Sequence, residues 1–284
     1  MQQRRLGDLS VSAVGLGAMP LSLPAGRRPD REQALRTVHA ALDAGVTLLD
    51  TADAYCLGPE ELGHNEELLA EALRTWGGDA GDVLVATKGG HTRPTADDWA
   101  LDGSPDHLRA ACEASLRRLG VDAIGLYQFH RPDPQVPWAE SVGALEQLRR
   151  EGKVRLVGVS NADPDQIREA AATTQLASVQ NEFSPRFRSS EPELRLCAEL
   201  GVAFLPWSPL GGIGKAGQQS GPFVEVARER GVAPQQVVLA WMLAKDDVVV
   251  PIPGASRPES VQSSVAAAAL VLTPEELARL DPLP

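Results

Sequence analysis

The chain has 284 residues, 43% of them apolar, and a formal net charge of −11. That length carries one sizeable core and suits a single barrel domain over residues 1–284. The acidic balance argues against non-specific binding to nucleic acid or anionic membrane, which needs basic patches.

Met1-Gln2-Gln3-Arg4-Arg5 leads into no long apolar run. Neither a signal peptide nor a membrane span is expected, and the cytoplasm is the expected compartment. Cys56, Cys112 and Cys197 are far apart and odd in number, so no disulfide framework and no metal site is expected. Arg4 to Val11 reads as a hairpin turning at Gly7-Asp8. Val14 to Ala18 reads as a strand ending in small residues, where a ligand is able to approach the backbone closely. Gly17, Ala18 and Met19 are candidate contacts there.

Asp30 caps a helix over 31–44, closed by Gly45. The run from Gly45 to Leu49 is a short buried strand that delivers Asp50 at its carboxyl end. Tyr55 lies five residues on. Residues 65–76 form a helix with Leu68, Leu69, Ala72 and Leu73 on one face. Strand 83–87 delivers Lys88 and is followed by a polar loop with Gly89, Gly90 and Pro94. Ser104-Pro105-Asp106 opens a helix to residue 119. Strand 123–129 ends at His130, and a Pro-rich loop leads to helix 138–150. Strand 154–160 follows Gly152. Asp163-Pro164 opens a further helix. Strand 177–180, helix 192–200 and strand 202–207 come next. A glycine-rich segment, 210–221, precedes helices 224–230 and 234–244. Strand 248–252 follows, and Thr273-Pro274-Glu275-Glu276 caps the last helix. Eight strands alternating with helices imply right-handed crossovers and a parallel sheet. No G-x-G-x-x-G follows the early strands, so a (β/α)8 TIM barrel with an N-terminal β-hairpin is expected rather than an open Rossmann sheet.

Asp50, Tyr55, Lys88 and His130 all fall at strand ends or in the loops just beyond, where barrel enzymes place their chemistry. A tyrosine acts as a general acid when its pKa is brought down from ~10 toward the working pH. A lysine beside it does so, because an ammonium stabilises the tyrosinate. An acidic residue holds that lysine. Each of these residues taken singly is more often structural; four at strand ends reverse that weighting. Asp53, His64 and His91 read as loop residues, with His91 near enough to Lys88 to reach the rim. Tyr127 and Phe129 alternate with Gln128 and pack against barrel or helices.

Motifs along nearly the whole chain resemble the aldo-keto reductase family. They are Asp50-Thr51-Ala52-x-x-Tyr55, Thr87-Lys88, the strand ending in His130, Gly158-Val159-Ser160-Asn161, Gln180-Asn181, Trp207-Ser208-Pro209-Leu210-Gly211 and Pro251-Ile252-Pro253-Gly254. The resemblance implies reduction of small-molecule aldehydes and ketones to alcohols with NADPH, bound without a Rossmann motif; NADH is the lesser option. It implies Asp50, Tyr55, Lys88 and His130 as the catalytic set. Ser160, Asn161 and Gln180 match positions that hold the nicotinamide carboxamide, and Trp207 matches the aromatic that stacks on the ring. Ser208, Pro209, Leu210 and Gly211 match a pyrophosphate wrap, and the short 211–221 segment implies a less complete clasp. Gly254, Ser256, Arg257, Ser260 and Ser264 match the grip on the 2′-phosphate and adenine, with Arg257 the remaining cation. Gly254 stands where many members carry lysine, and Ser260 and Ser264 where longer side chains are usual. Phe183, Phe187 and Trp138 are the bulky residues expected at the pocket mouth. Two other functions are weighed: a cofactor-sensing subunit like the potassium-channel β-subunits of this fold, and a Schiff-base aldolase using Lys88. The sequence indicates no oligomeric state.

Overall fold

The computed structural model describes residues 1–281 except 24, 213, 216, 217 and 220. The chain opens with an antiparallel hairpin, β1 (Gln3–Leu6) and β2 (Leu9–Ser12). Gly7 turns it at φ +62°, and a Cβ there would stand 2.9 Å from Leu156. Leu6 and Val11 are buried against Leu48, Leu84, Leu126 and Leu156, so the hairpin plugs the amino-terminal end of the barrel. Leu6→Ala is expected to lower stability by about 2–5 kcal/mol, because the cavity left behind cannot fully collapse. An unchanged denaturation midpoint would show that this plug contributes nothing.

The barrel begins with β3 (Leu16–Gly17). Helix α1 (Arg31–Asp43), β4 (Leu48–Asp50), α2 (His64–Thr75) and β5 (Leu84–Gly89) follow. The loop after β5 folds into a small antiparallel pair, β6 (His91–Thr92) with β7 (Ala100–Leu101). Then come α3 (Pro105–Leu119), β8 (Ile124–Phe129), α4 (Trp138–Arg150), β9 (Val154–Ser160) and α5 (Pro164–Thr173). β10 (Leu176–Gln180), α6 (Glu191–Leu200) and β11 (Ala203–Phe204) lead to α7 (Pro222–Arg230), α8 (Pro234–Leu243), α9 (Pro258–Ala266) and α10 (Pro274–Leu280). The β6–β7 pair was not foreseen; it grows from a loop whose composition is polar. Side chains of Asp30, Ser104, Asp163 and Thr273 accept the N–H that each cap requires.

Seven parallel strands pair in the order β11-β10-β9-β8-β5-β4-β3. The eighth position is filled by residues 248–254. Phe204 N–H donates to Val248 O at 2.8 Å, and Val250 N–H returns a bond to Phe204 O at 2.9 Å. On the other edge Gly15 and Gly17 donate to Pro251 O and Pro253 O at 2.9 and 3.1 Å. The barrel is therefore closed. The expected eighth strand is irregular because Pro251 and Pro253 have no N–H to donate.

Alternation along β8 sorts its side chains. Tyr127 and Phe129 turn outward onto Leu108, Cys112, Leu145 and Leu148, while Gln128 turns inward and donates to Asp50 at 3.5 Å. The outer layer near α8 centres on Trp241, which stacks on Phe183 with centroids 5.5 Å apart. No helix among the described residues is long and apolar enough to cross a membrane.

Candidate active site

Asp50 is the last residue of β4, and Lys88 the penultimate residue of β5. The two strands are neighbours in register, so both side chains turn into the same end of the barrel. Lys88 is fully buried. Its Nζ donates to Asp50 Oδ1 and Oδ2 at 2.9 and 2.8 Å, to Thr51 O at 2.8 Å and to Tyr55 Oη at 3.3 Å. Three ammonium protons are thus spread over a carboxylate, a carbonyl and a phenol. Gln180, at the end of β10, donates to Asp50 Oδ1 at 2.8 Å and fixes the carboxylate from the far side. His130 follows β8, with its ring edge-to-face to Tyr55 at 5.7 Å between centroids.

The electrostatics follow from burial. Burial alone would pull the Lys88 ammonium down, but the Asp50 carboxylate and the Tyr55 oxygen together reverse it, and the net direction is upward. Burial pushes the Tyr55 phenol up; Lys88 pulls against that rise and Asp50 adds to it, leaving the phenol above its ordinary value. The sign of the Lys88 effect is the one expected, but desolvation outweighs it. Burial holds His130 well below its ordinary range, with His91, Lys88 and Arg131 adding to the fall. The imidazole is therefore neutral at physiological pH.

A cavity of about 460 Å³ opens from this centre. Tyr55 and His130 face its inner end, and Ser256, Arg257 and Ser260 line it at the start of α9. Ser160 Oγ donates to Gln180 O at 2.7 Å, and Asn161 Nδ2 donates to His130 O at 3.0 Å. Asn161 and Ser208 take φ +58° and +50°, a left-handed backbone that side chains seldom adopt. The Trp207 indole N–H is buried without a hydrogen-bond partner among the described residues.

The model of the aldo/keto reductase family matches residues 13–283. The chain belongs to this family. An uncharacterized oxidoreductase of Schizosaccharomyces pombe is 35% identical over 98% of this chain and 88% of its own length. A probable aldo-keto reductase of Glycine max is 33% identical over 98% of this chain and 87% of its own. Among solved structures, an aldo/keto reductase of Klebsiella pneumoniae in complex with NADP and acetate aligns with a TM-score of 0.81 and 30% identity, covering 98% and 94% of the two chains.

For this member of the family, most residues singled out from sequence reach the cavity. Gly17, Met19, Asp50, Tyr55, His130, Ser160, Asn161, Gln180, Trp207, Ser208, Pro209, Leu210, Gly254, Ser256, Arg257 and Ser260 line it. Lys88 stands directly behind Asp50 and Tyr55. Ala18, Gly211 and Ser264 do not line it: Ala18 packs against Leu16 and Leu21, and Ser264 is buried one turn beyond Ser260 on α9. In the 211–221 segment, residues 213, 216, 217 and 220 lie outside the described residues, and the expectation about a clasp falls there. The aromatic wall differs from expectation. Phe183 and Trp138 belong to the outer core and Phe187 is exposed; Trp99 and Trp207 are the aromatics of the wall beside Tyr55. Sequence reasoning missed Trp99 because β7 brings it back over the barrel mouth, 5.4 Å from His91. His91 in turn lies 4.0 Å from His130 and belongs to the wall. Arg27 completes the missed set, while Arg131 lines the cavity from the loop after His130, which sequence places at the mouth.

Proposed function

We propose that this chain is an NADPH-dependent reductase of aldehydes and ketones in which Tyr55 is the general acid. The observation that carries the reading is the buried chain Asp50–Lys88–Tyr55, with a neutral imidazole beside the phenol. The residues along the cavity fit a nicotinamide dinucleotide. Asn161 and Gln180 offer amide groups to a carboxamide, and Trp207 offers a ring face. Arg257, with the Ser256 and Ser260 hydroxyls, offers donors to a phosphate. The Klebsiella pneumoniae relative was solved with NADP, which supports the same class of cofactor here.

NADPH would supply the hydride that reduces the carbonyl carbon. The protein handles the oxygen. As the carbonyl becomes an alkoxide, Tyr55 Oη donates its proton to it. Lys88 stabilises the phenolate left behind, and Asp50 and Gln180 hold Lys88 and its counter-charge in place. His130, being neutral, donates a hydrogen bond that directs the oxygen. A phenol raised by burial stays protonated at neutral pH, which suits reduction more than alcohol oxidation. Schiff-base chemistry is disfavoured, because it needs a free and accessible amine. Lys88 is buried, protonated and fully engaged. No observation favours the channel-subunit reading over turnover. Mixing the protein with NADPH and a panel of aldehydes tests the proposal; loss of nicotinamide absorbance with matching alcohol is expected, and its absence across the panel would overturn it.

Cofactor choice gives a separate expectation. A 2′-phosphate carries close to two negative charges, so the wall must present a cation. Arg257 is the N-cap of α9, whose N-terminus adds a favourable dipole. Arg257→Ala is expected to weaken NADPH binding by about 1.5–3 kcal/mol and to leave NADH nearly untouched. Titrations of both cofactors into both proteins check it, and equal losses would show that Arg257 does not read the phosphate.

A further inference from the structure

The cavity presents a cation that the proposed reaction does not use. Three arginines line it, Arg27, Arg131 and Arg257. Among the described residues its only carboxylate is Asp50, which Lys88 neutralises. The cavity wall is therefore net positive in a chain of net charge −11. Such a wall concentrates anions against the sign of the whole molecule.

The three arginines do not stand in the same place. Arg257 sits at the start of α9. Arg27 lies against the loop after β11, since a Cβ on Gly214 would overlap its guanidinium. Arg131 directly follows His130, so it stands at the reacting end. Among the described residues its side chain makes no hydrogen bond, ion pair or ring contact. Burial raises the Glu182 carboxyl, with the charges of Lys215 and Arg131 pulling against that rise, yet among the described residues Glu182 forms no ion pair with Arg131. His91 and His130, its neighbours in the wall, are both held neutral by burial, and the Arg131 charge adds to that. Trp99 and Trp207 supply apolar surface to the same cavity. The cavity thus offers an oxygen-directing pair in Tyr55 and His130, apolar ring faces and, near His130, an unpartnered guanidinium.

We propose that Arg131 selects carbonyl substrates that carry an anionic group, a carboxylate or a phosphate, by pairing with that group while the carbonyl faces Tyr55 and His130. This rests on the reductase reading above. A planar guanidinium binds either oxyanion through paired hydrogen bonds.

The test compares matched aldehydes: 4-carboxybenzaldehyde with its methyl ester, and glyceraldehyde 3-phosphate with glyceraldehyde. The quantity read is the ratio of kcat/KM within each pair, so any general loss of activity in a variant cancels. In the native protein at least one pair is expected to favour the anion by about 10- to 100-fold, the size of a hydrogen bond to a charged group. Which pair does so identifies the anion. Arg131→Ala should bring that ratio close to one, Arg131→Lys should keep part of it, and added salt should reduce it. Ratios near one in both pairs, or a preference that survives Arg131→Ala, would overturn the inference. Reduction of neither member of either pair would remove the reductase reading itself, and this inference with it.

Discussion

Tyr55→Phe is expected to lower carbonyl reduction by ~10²–10⁴-fold, the range for removing a general acid. The exchange keeps the ring and removes only the hydroxyl. That hydroxyl lines the cavity and also touches the Lys88 ammonium, at 3.3 Å. Without it the alkoxide must take its proton from water or from a neutral imidazole held far below its ordinary range, which is a poor proton source. The wall that would receive the cofactor is otherwise unchanged, so NADPH should still quench tryptophan fluorescence through Trp207. A phenylalanine variant that keeps most of its turnover would exclude Tyr55 as the acid.

Lys88→Met should produce the next largest change, and it has two readouts. The first is pH. Burial raises the Tyr55 phenol and Lys88 opposes that rise. Removing the ammonium leaves burial and the Asp50 carboxylate acting together, so the phenol moves further up. The tyrosinate needed to take a proton from an alcohol then becomes scarcer at any given pH. Alcohol oxidation should fall steeply and its pH profile should shift upward, while reduction, which uses the protonated phenol, is less displaced along the pH axis. An oxidation profile in the native position would show that Lys88 does not set the acidity of Tyr55. The second readout is stability. Asp50 would be left buried without its cation, a loss of about 3–5 kcal/mol for a broken buried pair. Adding Asp50→Asn should recover part of that loss.

Much of the fold is legible in the sequence because its punctuation is local. Asp30, Ser104-Pro105, Asp163-Pro164 and Thr273-Pro274 mark helix starts through caps that act within one turn. Strand ends at Asp50, Lys88 and His130 follow from short apolar runs bounded by polar loops. What sequence leaves out depends on contacts between distant segments. The eighth strand reads as regular until its prolines meet particular neighbours across the barrel seam. His91 and Trp99 become wall residues only because β6 and β7 pair and fold the loop back. Arg27 arrives from a loop whose sequence carries no signal of where it lands. Phe183 resembles a mouth residue until Trp241 captures it in the outer core. The same limit applies to charge: the Asp50–Lys88–Tyr55 grouping follows from motif positions, but the net direction of the Tyr55 phenol depends on how completely the site is buried.

The most direct measurement uses NADPH dideuterated at C4 of the nicotinamide, incubated with the native protein and 4-nitrobenzaldehyde. Mass spectrometry of the product is expected to show the alcohol with one deuterium on the carbinol carbon, formed in step with cofactor oxidation. Absence of the alcohol, or alcohol free of deuterium, would contradict carbonyl reduction by hydride transfer at this site.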